Sequence, residues 1–191
     1  MNYTLDLRPL IDSINDEELQ LLSSRNPDLK FETDAHGNLI VMPPTGSESG
    51  KRNGNLFGQV WSWNRQYKLG EVFDSSTGFK LSNGAVRSPD VSWIALNRWN
   101  SLTAKQKRGF APINPDFVIE LMYPSDDLSK TQHKMTEYRS CGVKLGWLIA
   151  PDEAQVEIYR IDRTTEILNS PNSLSGENIL HNLIIDLAGI F

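Results

Sequence analysis

Two short apolar runs, Val91 to Leu96 and Phe117 to Met122, constrain this chain more than any other feature, because each carries an acid. Their length, their β-branched and aromatic content and the Pro or Asn at their ends mark them as interior β-strands. Asp90 stands at the mouth of the first run, and Glu120 lies inside the second between Ile119 and Leu121. A carboxylate among apolar neighbours costs several kcal/mol, roughly 3–5 when its partner is missing. A cation or a strong donor must therefore face Glu120.

Neighbouring strands lie about 4.8 Å apart, so Asp90 and Glu120 can converge. Asp116 precedes Glu120 by four residues on one strand. At about 3.3 Å per residue that is about 13 Å, too far to share one small ion. It reads instead as a strand-entry residue bonding local backbone. Cys141 is the only cysteine, which excludes an intrachain disulfide and a thiolate zinc site built from one chain. None of the three histidines is well placed: His36 falls in a turn, His133 on the exposed side of a helix, and His181 in the tail. Two convergent carboxylates without thiol or imidazole favour a hard ion, Mg²⁺ or Mn²⁺, which polarises a phosphoryl oxygen and acidifies a bound water. A lysine is the usual companion. Lys134 follows Glu120 by fourteen residues, on the helix expected to leave the acidic strand. Tyr138, one turn further on the same face, reads first as a packing residue, with a phosphate-orienting role as the alternative.

The 191 residues suffice for one domain with a sizeable core, and 39% hydrophobic content is ordinary for a globular protein. No apolar run approaches the ~20 residues that span a bilayer, and the first residues lack a basic segment leading into an apolar one. We expect a soluble cytoplasmic protein with no membrane partner. The net charge of −5 argues mildly against nucleic acid, but its distribution is uneven. Arg98, Lys105, Lys107 and Arg108 fall in an interval without acids, and Lys51, Arg52, Arg65 and Lys68 in one with Glu48 alone. Both intervals are either solvated faces or phosphate grips flanking the acidic centre. Trp99, beside Arg98, could stack on a base.

In chain order, Asn15 caps a short helix with acids in its first turn. Leu29 to Thr33 and Leu39 to Met42 form a hairpin, and Pro43-Pro44 precedes a helix that buries Leu56, Val60 and Trp63. Glu48 sits at the start of that helix, either as a dipole-matching acid or as a site residue. Glu71 to Asp74 and Gly78 to Leu81 read as one strand or a bent pair. A helix runs from the Ser125 to Asp127 caps to about Ser140, followed by a strand at Leu145 to Ile149, a hairpin around Asp162-Arg163, and an apolar tail from Leu183. The order implies an α/β fold with a mixed sheet.

Four blocks, PPTGSESGKRNGNLFGQVWSWN, FDSSTGFKLSNGAVRSPDVSWIAL, PDFVIELMYPSDDL and KMTEYRSCGVKLGWLIAP, resemble the pattern of the Uma2 family within the PD-(D/E)XK nuclease superfamily. The resemblance covers nearly the whole chain. It implies a restriction-endonuclease-like core, with a mixed central sheet flanked by helices, in a single domain over 1–191: a helix and hairpin over 1–42, the nuclease core over 43–150, and a hairpin and tail over 151–191. It implies a metal-dependent endonuclease acting on DNA, with Asp90 and Glu120 holding Mg²⁺ or Mn²⁺ and Glu48 completing the shell. The superfamily puts its lysine two residues after the acid, where this chain has Met122; Lys134 takes that role, with Lys80 as a second candidate. Cutting both strands needs two sites, which points to a homodimer. Met122 and the modest basicity keep two other readings open, an inactive nuclease-fold module that binds nucleic acid or dimerises, and a small-molecule phosphodiesterase.

Overall fold

The computed structural model describes residues 3–7 and 14–191. An edge strand, β1 (Tyr3–Leu5), is followed by α1 (Asp16–Arg25). Asn15 and Glu18 close a reciprocal capping box there, satisfying two backbone donors that the first turn leaves open. The predicted hairpin is β2 (Lys30–Thr33) and β3 (Leu39–Met42), turned by Asp34, whose carboxylate accepts from the backbone of His36 and Asn38. The long helix α2 (Ser47–Tyr67) buries Leu56, Val60 and Trp63, as the three-and-four spacing predicts.

The next segment departs from expectation. β4 (Gly70–Asp74) and β5 (Phe79–Lys80) belong to different sheets, not to one strand or a bent pair. After β6 (Val86–Arg87) comes β7 (Val91–Ala95), which ends one residue early because Leu96 already starts a short helix, α3 (Leu96–Asn100). Thr103 and Gln106 form a second capping box on α4 (Ala104–Arg108). β8 (Phe117–Leu121) leads to α5 (Leu128–Ser140), capped by Asp127. The rest is β9 (Leu145–Ala150), β10 (Gln155–Arg160), β11 (Glu166–Asn169), and a small hairpin not marked in the sequence, β12 (Ser173–Ser175) with β13 (Ile184–Asp186).

The central sheet runs β11-β10-β9-β8-β7-β4, with β8 and β9 parallel and the other described pairs antiparallel. It is the mixed sheet flanked by helices that the sequence implies. Side chains alternate across it with a period of two. Phe117, Ile119 and Leu121 therefore join Val91, Trp93 and Trp147 under α2 and the tail, while Val118 and Met122 face α5 with Leu148. Gly146 lies beneath α5, where a Cβ would stand 2.6 Å from Met135 Cε and 3.3 Å from Val118 Cγ2. A second, antiparallel sheet, β1-β3-β2-β6-β5, packs on α1 through Leu19, Phe31, Leu39 and Val86. Only Ser88 to Asp90 separates β6 in this sheet from β7 in the central one.

Asp116 closes the far end of β8. It accepts from the backbone of Ala95 in the neighbouring β7, not from local backbone as expected, and also pairs with Arg98 at 2.9 Å and Lys144 at 2.8 Å. Burial pushes its carboxyl up, but these donors outweigh burial and hold it below the ordinary aspartate range. Its contribution to stability is thus complete above the unfolded value of about 4 and drains away as pH falls through the lower folded value. Asp116→Asn should cost about 1–2 kcal/mol near neutrality. In urea titrations that difference should shrink as pH falls below about 4, and a gap unchanged by acid would contradict the assignment.

Candidate active site

The alternation that fills the core also sets the acids. Val91 pairs with Ile119 across the antiparallel β7 and β8 ladder, so one step further Asp90 stands opposite Glu120. Directly opposed residues share a sheet face, and this is the face of Val118, covered by α5. Both acids line the floor of a cleft of about 1300 Å³ between the two sheets, with α5 and the start of α2 as its walls. Both are buried.

Asp90 is held on three sides. Its Oδ2 accepts from Leu121 N at 2.9 Å, and its Oδ1 from the Tyr123 hydroxyl at 2.9 Å and Asn53 Nδ2 at 3.2 Å. Glu120 Oε1 accepts from the Tyr138 hydroxyl at 2.9 Å and from Lys134 Nζ at 2.9 Å. The cation demanded by the sequence is therefore Lys134, one helical turn before Tyr138 on α5. Tyr138, read first as packing, is buried but spends its hydroxyl on Glu120.

Several site residues escaped the sequence reading. Glu32 of β2, buried on the face opposite Phe31, accepts from Lys134 Nζ at 2.9 Å, Ser88 N at 2.8 Å and Arg87 at 3.1 Å. Arg87 also donates to Glu137 of α5 at 2.6 Å. Thr33 pairs with Val86, so Glu32 and Arg87 stand opposite each other, just as Asp90 and Glu120 do in the other sheet. The available signal was an arginine three residues before Asp90 and a glutamate alternating with Phe31.

Charge in this cluster is unbalanced. Four carboxylates, Glu32, Asp90, Glu120 and Glu137, meet three cations, Arg87, Lys134 and Lys30. Burial pushes the Glu120 carboxyl up to about 7; Asp90 and Glu32 add to the rise, and Lys134 opposes it. Burial likewise raises Asp90, against Lys30, the Leu121 amide and Lys134. Glu32 goes the other way, because Lys134, Arg87 and the Ser88 amide overcome its burial. Burial disfavours the Lys134 ammonium, but Glu120 and Glu32 prevail, and it titrates above an ordinary lysine. The site thus holds a fixed ammonium beside two carboxylates, in a cluster with one more acid than cations.

That surplus, with all-oxygen donors, fits Mg²⁺ or Mn²⁺, which commonly take one or two carboxylates and complete their shell with water and phosphate. The Tyr138 hydroxyl and Lys134 both meet Glu120 at Oε1. Glu48 is on the cleft wall at the start of α2, but its side chain is 62% exposed and pairs with Lys51 and Arg52. Among the described residues no three His, Cys, Asp or Glu side chains gather closely enough to hold an ion together. Lys80 is outside the cleft, bonded to Asp16 at 2.9 Å. Arg98 and Lys107 are also elsewhere: Arg98 pairs with Asp116, and Lys107 covers the ring of Trp99 at 5.0 Å, so that interval does not flank the acids. His36 and His133 are exposed on the cleft, and His181 is exposed on the tail. No described helix is long and apolar enough to cross a membrane.

The fold has a solved counterpart. A crystal structure of a putative nuclease belonging to DUF820 from Anabaena variabilis superposes with a TM-score of 0.71 at 20% identity, covering 84% of this chain and 89% of that one. At that identity the likeness establishes the architecture alone. No curated protein matches the chain in sequence. The family model described as putative restriction endonuclease, Uma2, matches residues 16–188, and the chain belongs to that family.

Proposed function

We propose that the protein is a metal-dependent endonuclease that hydrolyses DNA phosphodiester bonds at the Asp90 and Glu120 pair. One observation carries this reading: two opposed, buried carboxylates on a cleft floor, with the Lys134 amine 2.9 Å from one of them. Asp90 and Glu120 are the residues that would hold Mg²⁺ or Mn²⁺, and Glu48 would assist them once freed from exposed ion pairs worth only about 0–1 kcal/mol. When bound, such an ion supplies charge stabilisation on a phosphoryl oxygen and acidifies a water. The Leu121 amide and the Tyr123 hydroxyl keep the Asp90 carboxylate aimed, and Tyr138 does the same for Glu120. Lys134, kept as an ammonium by two acids, acts as a donor rather than a base. It orients the attacking water or neutralises charge building on the phosphate. A homodimer would give each strand of a duplex its own site.

Supercoiled plasmid incubated with Mg²⁺ or Mn²⁺ should be nicked and linearised, and EDTA should stop it. Folded protein that leaves plasmid intact with both ions, or that cuts in EDTA, would refute the proposal. A second reading, a small-molecule phosphodiesterase, draws on the cleft wall, where carboxylates are twice as many as lysines and arginines. It requires cleavage of bis(p-nitrophenyl) phosphate without salt-dependent retention of duplex DNA.

A further inference from the structure

We propose that Glu32 is a positioning residue for Lys134: the N-terminal hairpin supplies the anchor for an amine that the acidic strand does not carry. The inference rests on the nuclease reading of this site.

A lysine two residues after Glu120 would be placed by the strand itself, because positions two apart share a face. Here that position is Met122, buried in the apolar layer beneath α5. The amine arrives instead on a long, flexible stem from α5, and such a stem has many conformations to lose. Glu120 alone is a poor tether. It already accepts the Tyr138 hydroxyl, and its carboxylate is the group that a divalent ion would engage. Glu32 is better suited to the task. The Ser88 amide and the Arg87 guanidinium fix both its oxygens, and Arg87 in turn grips Glu137, three residues after Lys134 on the same helix. The hairpin is thereby tied to the helical turn that bears the amine. Glu32 touches no reacting atom in this scheme; it acts by holding Nζ in place.

A purely structural staple would also explain these contacts, so the test separates the two. Glu32→Gln preserves shape and an acceptor for Ser88 but removes the charge facing Lys134 and Arg87. With Mn²⁺ and a short DNA duplex, kcat should fall about 30- to 100-fold with KM within about threefold. Lys134→Met should fall further, and Glu32→Gln added to Lys134→Met should cause no additional loss. Thr33→Ala, which removes a bond to Val86 N in the same hairpin without touching Lys134, serves as the structural control and should leave kcat unchanged. Should Glu32→Gln fail to fold, Glu32→Asp carries the test, since it keeps the charge but shortens its reach by one methylene; a drop of about tenfold in kcat, absent on the Lys134→Met background, is the supporting result. Multiplying losses in the double variant, an unchanged kcat in Glu32→Gln, or an equal loss in Thr33→Ala would overturn the proposal. Wild-type protein that cleaves no phosphodiester with either ion overturns the nuclease reading and this inference together, whereas wild-type cleavage with undiminished Glu32→Gln overturns the anchor alone.

Discussion

Asp90→Asn and Glu120→Gln should each reduce plasmid nicking by about 10³-fold or more, equivalent to about 4 kcal/mol of barrier, while the melting temperature of Glu120→Gln holds or rises. The two halves of this expectation share one cause. Burial raises both carboxyls, and the charges of Asp90 and Glu32 raise Glu120 further, which means that the fold tolerates their neutral forms more readily than water does. At Glu120 an isosteric amide therefore relieves repulsion at little structural cost, whereas at Asp90, whose two oxygens both accept hydrogen bonds, it turns one donor against another. In Glu120→Gln the amide oxygen would still accept from Tyr138, and Lys134 would retain Glu32. What disappears is the anionic oxygen pair on which divalent binding depends. Nicking assays in Mg²⁺ and Mn²⁺, run beside thermal melts, measure both halves. Partial activity with a collapsed melting temperature would mean that these acids serve the fold and not the chemistry.

Arg87→Met should produce the largest loss of stability, about 3–5 kcal/mol, or roughly 10 °C in melting temperature for a chain of this size. The guanidinium is buried between Glu32 and Glu137, and although burial disfavours its charge, both acids more than compensate. Removing it strands a nearly inaccessible Glu32 with a single cation, Lys134. Combining Arg87→Met with Glu32→Gln removes one of the stranded charges and should recover a substantial part of the loss, because a neutral arrangement of similar shape avoids the desolvation cost. Urea unfolding decides the matter: a change under about 1 kcal/mol would show that solvent reaches this cluster freely.

The residues that lie on regular ladders were legible in the sequence. Asp90 and Glu120 could be brought together from strand spacing alone, and the capping residues Asn15 and Asp127 announced their helices. Lys134 was legible because a buried glutamate demands a cation and the following helix offers one. Glu32 was hidden by partners 55 to 102 residues away, and KFET reads as an ordinary half-buried strand. Long-range pairing of this kind leaves no local pattern. The split of β4 from β5 was hidden for a related reason, since two residues of β5 are too few to show a period. At Ala95 no side chain caps α3, so nothing in the run from Val91 to Leu96 signalled where extension stops.

The three-residue passage from β6 to β7 has a mechanical consequence. The Ser88 amide is bonded to a buried carboxylate of one sheet, and the Asp90 carboxylate to the backbone of the other, so the chain is riveted where a hinge would need to flex. The jaws cannot swing at their root. Room for a bulky polymer has to come from the lips, the turn at Asp34 to Asn38 and the segment from Pro124 to Asp127. Amide exchange at Ser88 as slow as within the strands, with fast exchange at both lips, is the pattern this rigidity requires; rapid exchange at Ser88 would show the root to be loose.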